Sequence, residues 1–369
     1  MIVGIPKEIK SSENRVGITP AGVNILINAG HEVIVQNNAG IGSGISNEDY
    51  QEAGALIKNT AQEIYGIADM ILKVKEPLPA EYGLMRKGQI LFAYLHLAAE
   101  PELTQVLMEK GVVAVAYETV QNADGLLPLL APMSEVAGRM AVQIGAQLLD
   151  KTNADGNGIL MGGVPGVPPA EVVIIGAGIV GTNAAKIAIG LGARVTVVDV
   201  NINRLRYLDD IYGNRITTLA SNPYEMARAV KKADLVIGAV LLAGQKAPRL
   251  VTEEMVKEMK QGAVVIDIAV DQGGCVETID RITSHKDPVY VKHGVIHYAV
   301  PNVPGIVPRT STFALTNVTI PFALELANKG YQKILTESSP LTKGFNVVNG
   351  EVVHPGVAEA HCIPYSEVS

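Results

Sequence analysis

Residues 171–181 read EVVIIGAGIVG, a short β-branched run that opens into glycines at 176, 178 and 181. With 37 glycines in 369 residues, the GxGxxG spacing alone decides little. Its surroundings decide more. A strand pattern precedes it, a helical stretch follows at 179–189, and a second strand, 194–198, runs into Asp199. Asp199 follows Gly181 by 18 residues (199 − 181), close to the ~20 expected of the acid that binds a ribose in a dinucleotide fold.

The chemistry is specific at each position. Gly176 permits the tight turn, Gly178 lets the backbone approach a pyrophosphate, and Gly181 lets helix and strand pack closely. The helix N-terminus offers unbonded N–H groups and partial positive charge to phosphate. Gly176, Ala177, Gly178, Ile179, Val180 and Gly181 are therefore the expected cofactor loop. Asp199 also bears on which dinucleotide binds. Two unit charges ~4 Å apart at an effective dielectric of ~20 interact by about 4 kcal/mol. A quarter of that repulsion would disfavour a 2′-phosphate roughly five-fold. Arg204 and Arg206 could neutralise such a phosphate, so Asp199 sets a preference for NAD over NADP.

Working outward, strand-like runs at 172–175, 194–198, 216–219, 235–238 and 264–268 alternate with helical stretches at 179–189, 203–211, 223–231 and 252–259. Runs at 289–292 and 295–299 add strands around a His293–Gly294 turn. Short, almost wholly apolar strands of this kind are covered by helices on both faces. A second βα series lies N-terminal to them. Its strands are expected at 2–5, 32–36, 70–74, 90–95 and 112–117, with helices at 20–29 and 61–65. Between the series, Val136, Met140, Ile144 and Leu148 recur along a helix over 132–149. Another helix is expected over 310–328. The pattern predicts an α/β protein of two doubly wound, mostly parallel-sheet lobes joined by long helices. The second lobe, a Rossmann NAD-binding domain (131–307), is inserted into the first (1–130 and 308–369).

Composition narrows the function classes. Hydrophobic residues are 48% and charged residues 18%, enough for real cores and too apolar for disorder. The net charge of −7, 30 basic against 37 acidic residues, disfavours nucleic acid and anionic membrane surfaces as partners. Aromatics at 4% and no Trp disfavour base stacking. No run approaches the ~18 apolar residues of a membrane span. Lys7 and Glu8 fall where a secretory signal needs unbroken apolar sequence. Cys275 and Cys362 form no CxxC pair, so neither a disulfide scaffold nor a cysteine metal site is expected. A reducing cytoplasm is the expected location.

Four polar residues of the first lobe stand out by position. Arg15 lies in SSENRVGITP (11–20), ahead of a helix opened by Thr19-Pro20. Lys75 closes the strand 70–74, and His96 ends LFAYLHL (91–97), with Tyr94 two residues earlier on the same face. Ligands of α/β sheets gather beyond strand carboxyl ends. Singly, these read as a surface arginine, a solvated strand end and a hydrogen-bonded imidazole. Together they match a small anionic substrate: Arg binds carboxylate through two points, Lys adds point charge, and His moves protons near neutral pH. Asp271 follows the strand 264–268, where nicotinamide chemistry is expected, with a turn aspartate as the plain alternative. Asp267, within that strand, is the weaker candidate.

These residues resemble the alanine dehydrogenases and, more distantly, the NAD-binding subunit of proton-translocating transhydrogenase. The likeness runs through GIPKEIKSSENRVGITP, KVKEP, LFAYLHLA, APMSEVAGRMA, IGAGIVG, VVDV, LLAGQKAPRLV, DIAVDQGGC and PNVPGIVPRTSTFALTN. It implies a homohexamer that converts L-alanine reversibly to pyruvate and ammonium with NAD. By the same likeness, Arg15 and Lys75 hold the carboxylate and carbonyl side of the substrate, and His96 is the acid/base. Asp271 positions or activates water and ammonia. Tyr94, Met133 and Asn302 line the pocket. Ser134 touches phosphate, Asp199 the ribose, and Arg204, Ser221, Val240, Leu241, Ile268 and Asn302 the cofactor. Alternatives are a dehydrogenase of another small amino acid, a transhydrogenase-like subunit, and an NAD sensor without catalysis. The transhydrogenase reading wants an Arg-Ala-Gln segment before the long helix, where this chain has LLAPMSEVAG (129–138). A sensor would need no Arg15, Lys75 and His96 together.

Overall fold

The β-branched runs become strands throughout the computed structural model, which describes residues 1–152, 155–240, 247–270 and 273–367. The N-terminal series gives β1 (Ile2–Ile5), β2 (Glu32–Gln36), β3 (Leu56–Lys58), β4 (Met70–Leu72), β5 (Ile90–Ala93) and β6 (Val113–Ala116). The fingerprint series gives β7 (Glu171–Ile175), β8 (Arg194–Asp199), β9 (Ile216–Ala220), β10 (Leu235–Gly238), β11 (Val264–Asp267), β12 (Val289–Lys292) and β13 (Val295–Tyr298). Near the C-terminus lie β14 (Phe345–Val348) and β15 (Glu351–Val352).

The chain divides into two units, Met1–Met133 with Gly305–Ser369, and Ser134–Pro304. It leaves the first unit within the helix Ala131–Leu148 and returns ahead of the helix Pro308–Lys329. Each unit is a sheet flanked by helices, the doubly wound α/β architecture that the strand–helix alternation predicts. None of the helices among the described residues is long and apolar enough to cross a membrane.

The first sheet runs β15-β14-β6-β5-β4-β1-β2-β3, parallel except for β14, which is antiparallel to both β6 and β15. Two of its strands stop earlier than their apolar runs. β4 ends at Leu72 and β5 at Ala93, although the pattern extends to Val74 and Leu95. The cause is a change of acceptor. Val74 N–H donates to Glu8 Oε1 at 2.6 Å, and Leu95 N–H donates to the Glu118 carboxylate at 3.2 Å. Every buried N–H needs a partner, and here carboxylates replace the ladder. The β14–β15 hairpin turns on Asn349 and Gly350, both at positive φ (52° and 84°), a pair suited to a two-residue hairpin turn. Neither that hairpin nor the short edge strand β3 stands out in the hydrophobic pattern.

The second sheet runs β12-β13-β11-β10-β7-β8-β9, with only β12 antiparallel. β7 is central. The chain moves outward through β8 and β9, then returns to pair β10 with the other edge of β7. That reversal is a topological switch point, beside whose strand carboxyl ends α/β sheets bind ligands. The glycine loop begins there, because Gly176 directly follows β7.

Candidate active site

Arg15 is 2% exposed, which overturns the surface-arginine reading of its polar loop. Glu13 draws it inward. Glu13 Oε1 accepts Arg15 Nε at 2.7 Å, and Oε2 accepts Nη2 at 2.6 Å, the two-point geometry of a strong Arg–carboxylate pair. Arg15 Nη1 reaches Met133 Sδ at 3.1 Å. Burial would raise the Glu13 carboxyl, but the hydrogen bonds and charge of Arg15 outweigh it and hold the group below its ordinary value.

Lys75 lies just past β4 rather than closing it, half-buried, with its backbone N–H 3.3 Å from Glu8 Oε1. Burial, then the charge of Arg15, pulls its ammonium below the ordinary value. Among the described residues, no carboxylate stands within ion-pair distance of Lys75 Nζ. The neighbouring lysine is different. Lys73, 1% exposed, is flanked by Glu8 at 3.2 Å and Glu81 at 2.9 Å, and Tyr65 donates to Glu81. Lys73 is thereby committed to the core, leaving Lys75 as the cation available to an anion.

His96 falls beyond the end of β5, in the left-handed region with φ 49°. Its N–H donates to Glu118 Oε1 at 2.5 Å, and its Nδ1 is 3.9 Å from the same oxygen. The imidazole side chain is 44% exposed, open to solvent protons. Tyr94 lies nearly parallel to it, ring centroids 6.1 Å apart and 8° between planes. The Tyr94 hydroxyl donates to the Leu129 carbonyl at 2.6 Å, and burial pushes that phenol far above its ordinary value, so it stays neutral.

The first unit thus gathers Arg15, Lys75, Tyr94, His96 and Met133. Arg15 touches Met133, its charge is felt at Lys75 and at Tyr94, and Tyr94 flanks His96. Three glutamates that the sequence reading passed over hold this group. Glu13, Glu8 and Glu118 each accept the backbone N–H of one of Arg15, Lys75 and His96. Only Glu13, two residues from Arg15, carried a local signal. Glu8 and Glu118 act across 67 and 22 residues of chain.

In the second unit the expected cofactor residues lie at strand carboxyl ends. Gly176 has φ 104°, and a Cβ on Gly181 would come within 1.8 Å of the Gly176 carbonyl oxygen. A Cβ on Gly178 would meet nothing within 4 Å. Gly178 is also the N-cap of the helix Ile179–Gly190, with no side chain capping it. Open space over an uncapped helix N-terminus fits a pyrophosphate. Asp199 ends β8 and accepts Ala177 N–H at 2.5 Å and Asn201 N–H at 2.7 Å. Arg204 folds back onto the loop, with Nε 3.0 Å from the Ala177 carbonyl and Nη2 3.2 Å from Thr182 Oγ1. It braces the glycine turn, while Arg206 reaches Asn203 Oδ1 at 2.7 Å.

Ser221 follows β9 and donates its N–H to the Asp199 carbonyl at 2.9 Å. Val240 follows β10 beside Gly176, and Ile268 follows β11, its N–H on the Gly238 carbonyl at 3.0 Å. Ser134 is half-buried near the start of the helix Ala131–Leu148. Asn302, at φ 56°, lies past β13. Asp267 is fully buried and accepts the N–H groups of Ala269, Cys275 and Val276 at 3.0, 2.6 and 3.2 Å. It is a fastening for the loop after β11. Asp271 and Leu241 lie outside the described residues.

Comparison with known proteins agrees along the whole chain. Residues 4–137 match the family described as alanine dehydrogenase/PNT, N-terminal domain, and residues 141–355 match its C-terminal domain. Alanine dehydrogenase of Methanococcus maripaludis is 60% identical over 366 residues, covering 99% of this chain and 98% of that one. A solved L-alanine dehydrogenase superposes with a TM-score of 0.95 at 51% identity, covering 98% of this chain and 99% of its own. The transhydrogenase of Sinorhizobium meliloti superposes with a TM-score of 0.81 at 28% identity, over 96% and 99% of the two chains.

Proposed function

The chain belongs to the alanine dehydrogenase/PNT family, and on that premise we propose how its residues perform the NAD-dependent oxidative deamination of L-alanine to pyruvate and ammonium. The first unit is the substrate and catalytic domain, and the second holds the dinucleotide. One observation carries the assignment of roles. A fixed guanidinium, an ammonium with no ion-pair partner among the described residues and an exposed imidazole lie in one unit, with Tyr94 between the first and the last.

The glycine turn from Gly176 to Gly181, with Ala177, Ile179 and Val180, holds the pyrophosphate at the helix N-terminus. Asp199 binds the ribose hydroxyls. Ser134, Arg204, Ser221, Val240, Leu241, Ile268 and Asn302 flank the rest of the cofactor. When bound, NAD accepts the hydride that leaves the alanine Cα.

Arg15, held rigid by Glu13, and Lys75 fix the substrate carboxylate and thereby aim Cα. Lys75 also stabilises the negative charge that develops on oxygen when water adds to the oxidised carbon. His96 accepts a proton from the amine or from that water and returns one to the departing ammonia, a task suited to a base near neutral pH. Asp271 orients the water. Tyr94 and Met133 narrow the pocket toward a three-carbon acid.

The test is absorbance at the NADH band with purified protein, NAD and a panel of L-amino acids. Clear preference for alanine is the expected result. Silence with every amino acid, alongside NAD binding, would favour the sensor. The family likeness also supports a homohexamer, to be checked by sedimentation equilibrium, and a cytoplasmic location, to be checked by cell fractionation.

A further inference from the structure

His96 is neither glycine nor asparagine, yet its backbone is left-handed. For such a residue that conformation costs free energy, and the surroundings must supply it. Two contacts do so. Glu118 Oε1 accepts the N–H groups of both Leu95, at 3.2 Å, and His96, at 2.5 Å. In a regular strand successive N–H groups point to opposite edges, so one oxygen cannot take both. The bifurcated bond therefore bends the chain at Leu95, whose φ and ψ set the relative direction of the two N–H groups, and fixes the peptide group that leads into His96. On the far side, His361 Nε2 bonds the Leu97 carbonyl at 2.6 Å, from the end of the helix Pro355–His361.

We propose that Glu118 is a positioning residue for the reaction: its carboxylate fixes the peptide group that enters the left-handed residue His96 and so aims the imidazole, with His361 holding the chain on the exit side. Glu118 is well placed for this. It follows β6, whose Ala116 is in register with Ala93 at the end of β5, so its side chain reaches across adjacent strand ends. The Tyr94 ring closes the third side of the imidazole, and the Tyr94 N–H is itself bonded to the Val74 carbonyl at 3.1 Å. Leu95 and Leu97 on either side are buried, so the turn has firm anchors and His96 alone projects toward solvent. A relaxed turn would keep both leucines in the core and move only the imidazole.

The inference rests on the reading of His96 as the acid/base, and a double-mutant cycle separates the two. In Glu118→Ala, alanine-dependent kcat falls by about 10²-fold, the usual consequence of misplacing a reacting group by an ångström. The KM for NAD and the far-UV circular dichroism stay unchanged. Glu118→Gln keeps an oxygen that accepts both N–H groups and recovers most of the rate. On the His96→Ala background, Glu118→Ala lowers the residual rate no further, because residues acting through one group are not additive. A wild-type rate in Glu118→Ala, or an equal loss on both backgrounds, would overturn the positioning role while leaving His96 as the acid/base. Glu118→Gln as impaired as Glu118→Ala would overturn the backbone clamp. A His96→Ala variant with full activity would remove the acid/base reading and this proposal with it.

Discussion

Glu13 grips Arg15 three times over, through its backbone N–H at 3.0 Å, its Nε at 2.7 Å and its Nη2 at 2.6 Å, on a pair almost wholly removed from water. Breaking one half of such a buried pair strands the other and typically costs ~3–5 kcal/mol. Glu13→Gln keeps an acceptor but loses the charge, so about 3 kcal/mol is expected at pH 7. Arg15 holds the Glu13 carboxyl below its ordinary value. The stabilisation is therefore full above the ordinary carboxylate value of about 4.3 and is lost as pH falls through the depressed folded value. Urea unfolding should show the wild type and Glu13→Gln well separated at pH 7 and converging in strong acid. A constant gap at every pH would contradict the pairing.

Lys75 presents the opposite case. It is half-buried, pulled below its ordinary value by burial and then by Arg15, and no carboxylate among the described residues pairs with it. A cation so placed opposes folding, and on the proposed reading it serves the reaction instead, the familiar trade of stability against activity. Lys75→Met should leave the unfolding midpoint unchanged or slightly raised. Alanine-dependent kcat/KM should fall by about 10²-fold or more, the cost of losing one preorganised charge at a reacting oxygen. Loss of stability without loss of activity would mark Lys75 as structural.

Gly178 and Gly181 separate packing from binding. A Cβ at Gly181 meets the Gly176 carbonyl at 1.8 Å, whereas a Cβ at Gly178 meets nothing within 4 Å. Gly181→Ala should unfold or distort the second unit. Gly178→Ala should fold as the wild type does and melt at the same temperature. Its methyl group occupies the space proposed for the pyrophosphate, so the KM for NAD should rise by about ten-fold or more, a loss of ~1.4 kcal/mol in binding. Unchanged KM in a well-folded Gly178→Ala would place the phosphates elsewhere.

Those glycines also illustrate how much a sequence reveals. The strands of the fingerprint series lie within a residue of the β-branched runs that predict them, because both strand formation and burial there depend on local apolar pattern. The glycine turn is equally local. The hold on Lys75 and His96 is not. Glu8 and Glu118 look like ordinary surface acids in sequence, and only sheet pairing brings them under the ends of β4 and β5. The same two carboxylates shorten those strands, so one long-range cause accounts for both departures. Nothing near His96 announces a left-handed residue, and the groups that hold the chain on either side of it come from afar: Glu118 lies 22 residues from the N–H it accepts, and His361 lies 264 residues from the Leu97 carbonyl it bonds.

His297 supplies a pH dependence unrelated to catalysis. It is fully buried on β13, with Nδ1 2.9 Å from the Val295 carbonyl and Nε2 2.7 Å from Thr278 Oγ1. A carbonyl can only accept, so Nδ1 carries the proton and Nε2 accepts from the threonine, which satisfies a neutral imidazole. Burial brings its value down to about 4. Between the ordinary value near 6.5 and that folded value the unfolded chain binds the proton and the folded chain does not. Stability is thus lost as pH falls from 6.5 to about 4, by up to ~3 kcal/mol, and no further below. Thermal melts of the wild type against His297→Gln at pH 7, 5.5 and 4.5 isolate this contribution. The variant should lose less over that range.

On the proposed reading Asp199 decides between two dinucleotides by charge, and it also anchors the glycine turn through the Ala177 N–H. Replacing it by alanine would remove both, so Asp199→Asn is the sharper variant: an amide oxygen still accepts from Ala177 while the negative charge is gone. Arg204 is occupied on the Ala177 carbonyl and Thr182 rather than free to pair with a 2′-phosphate, which leaves the repulsion from Asp199 largely uncompensated in the wild type. Removing about 1 kcal/mol of that repulsion shifts the ratio of kcat/KM for NADP over NAD upward by roughly five-fold. The KM for NAD should also rise, since an amide replaces the carboxylate proposed to receive the ribose hydroxyls. An unaltered NADP/NAD ratio in Asp199→Asn, measured with alanine saturating, would show that the 2′-position of the ribose lies away from β8.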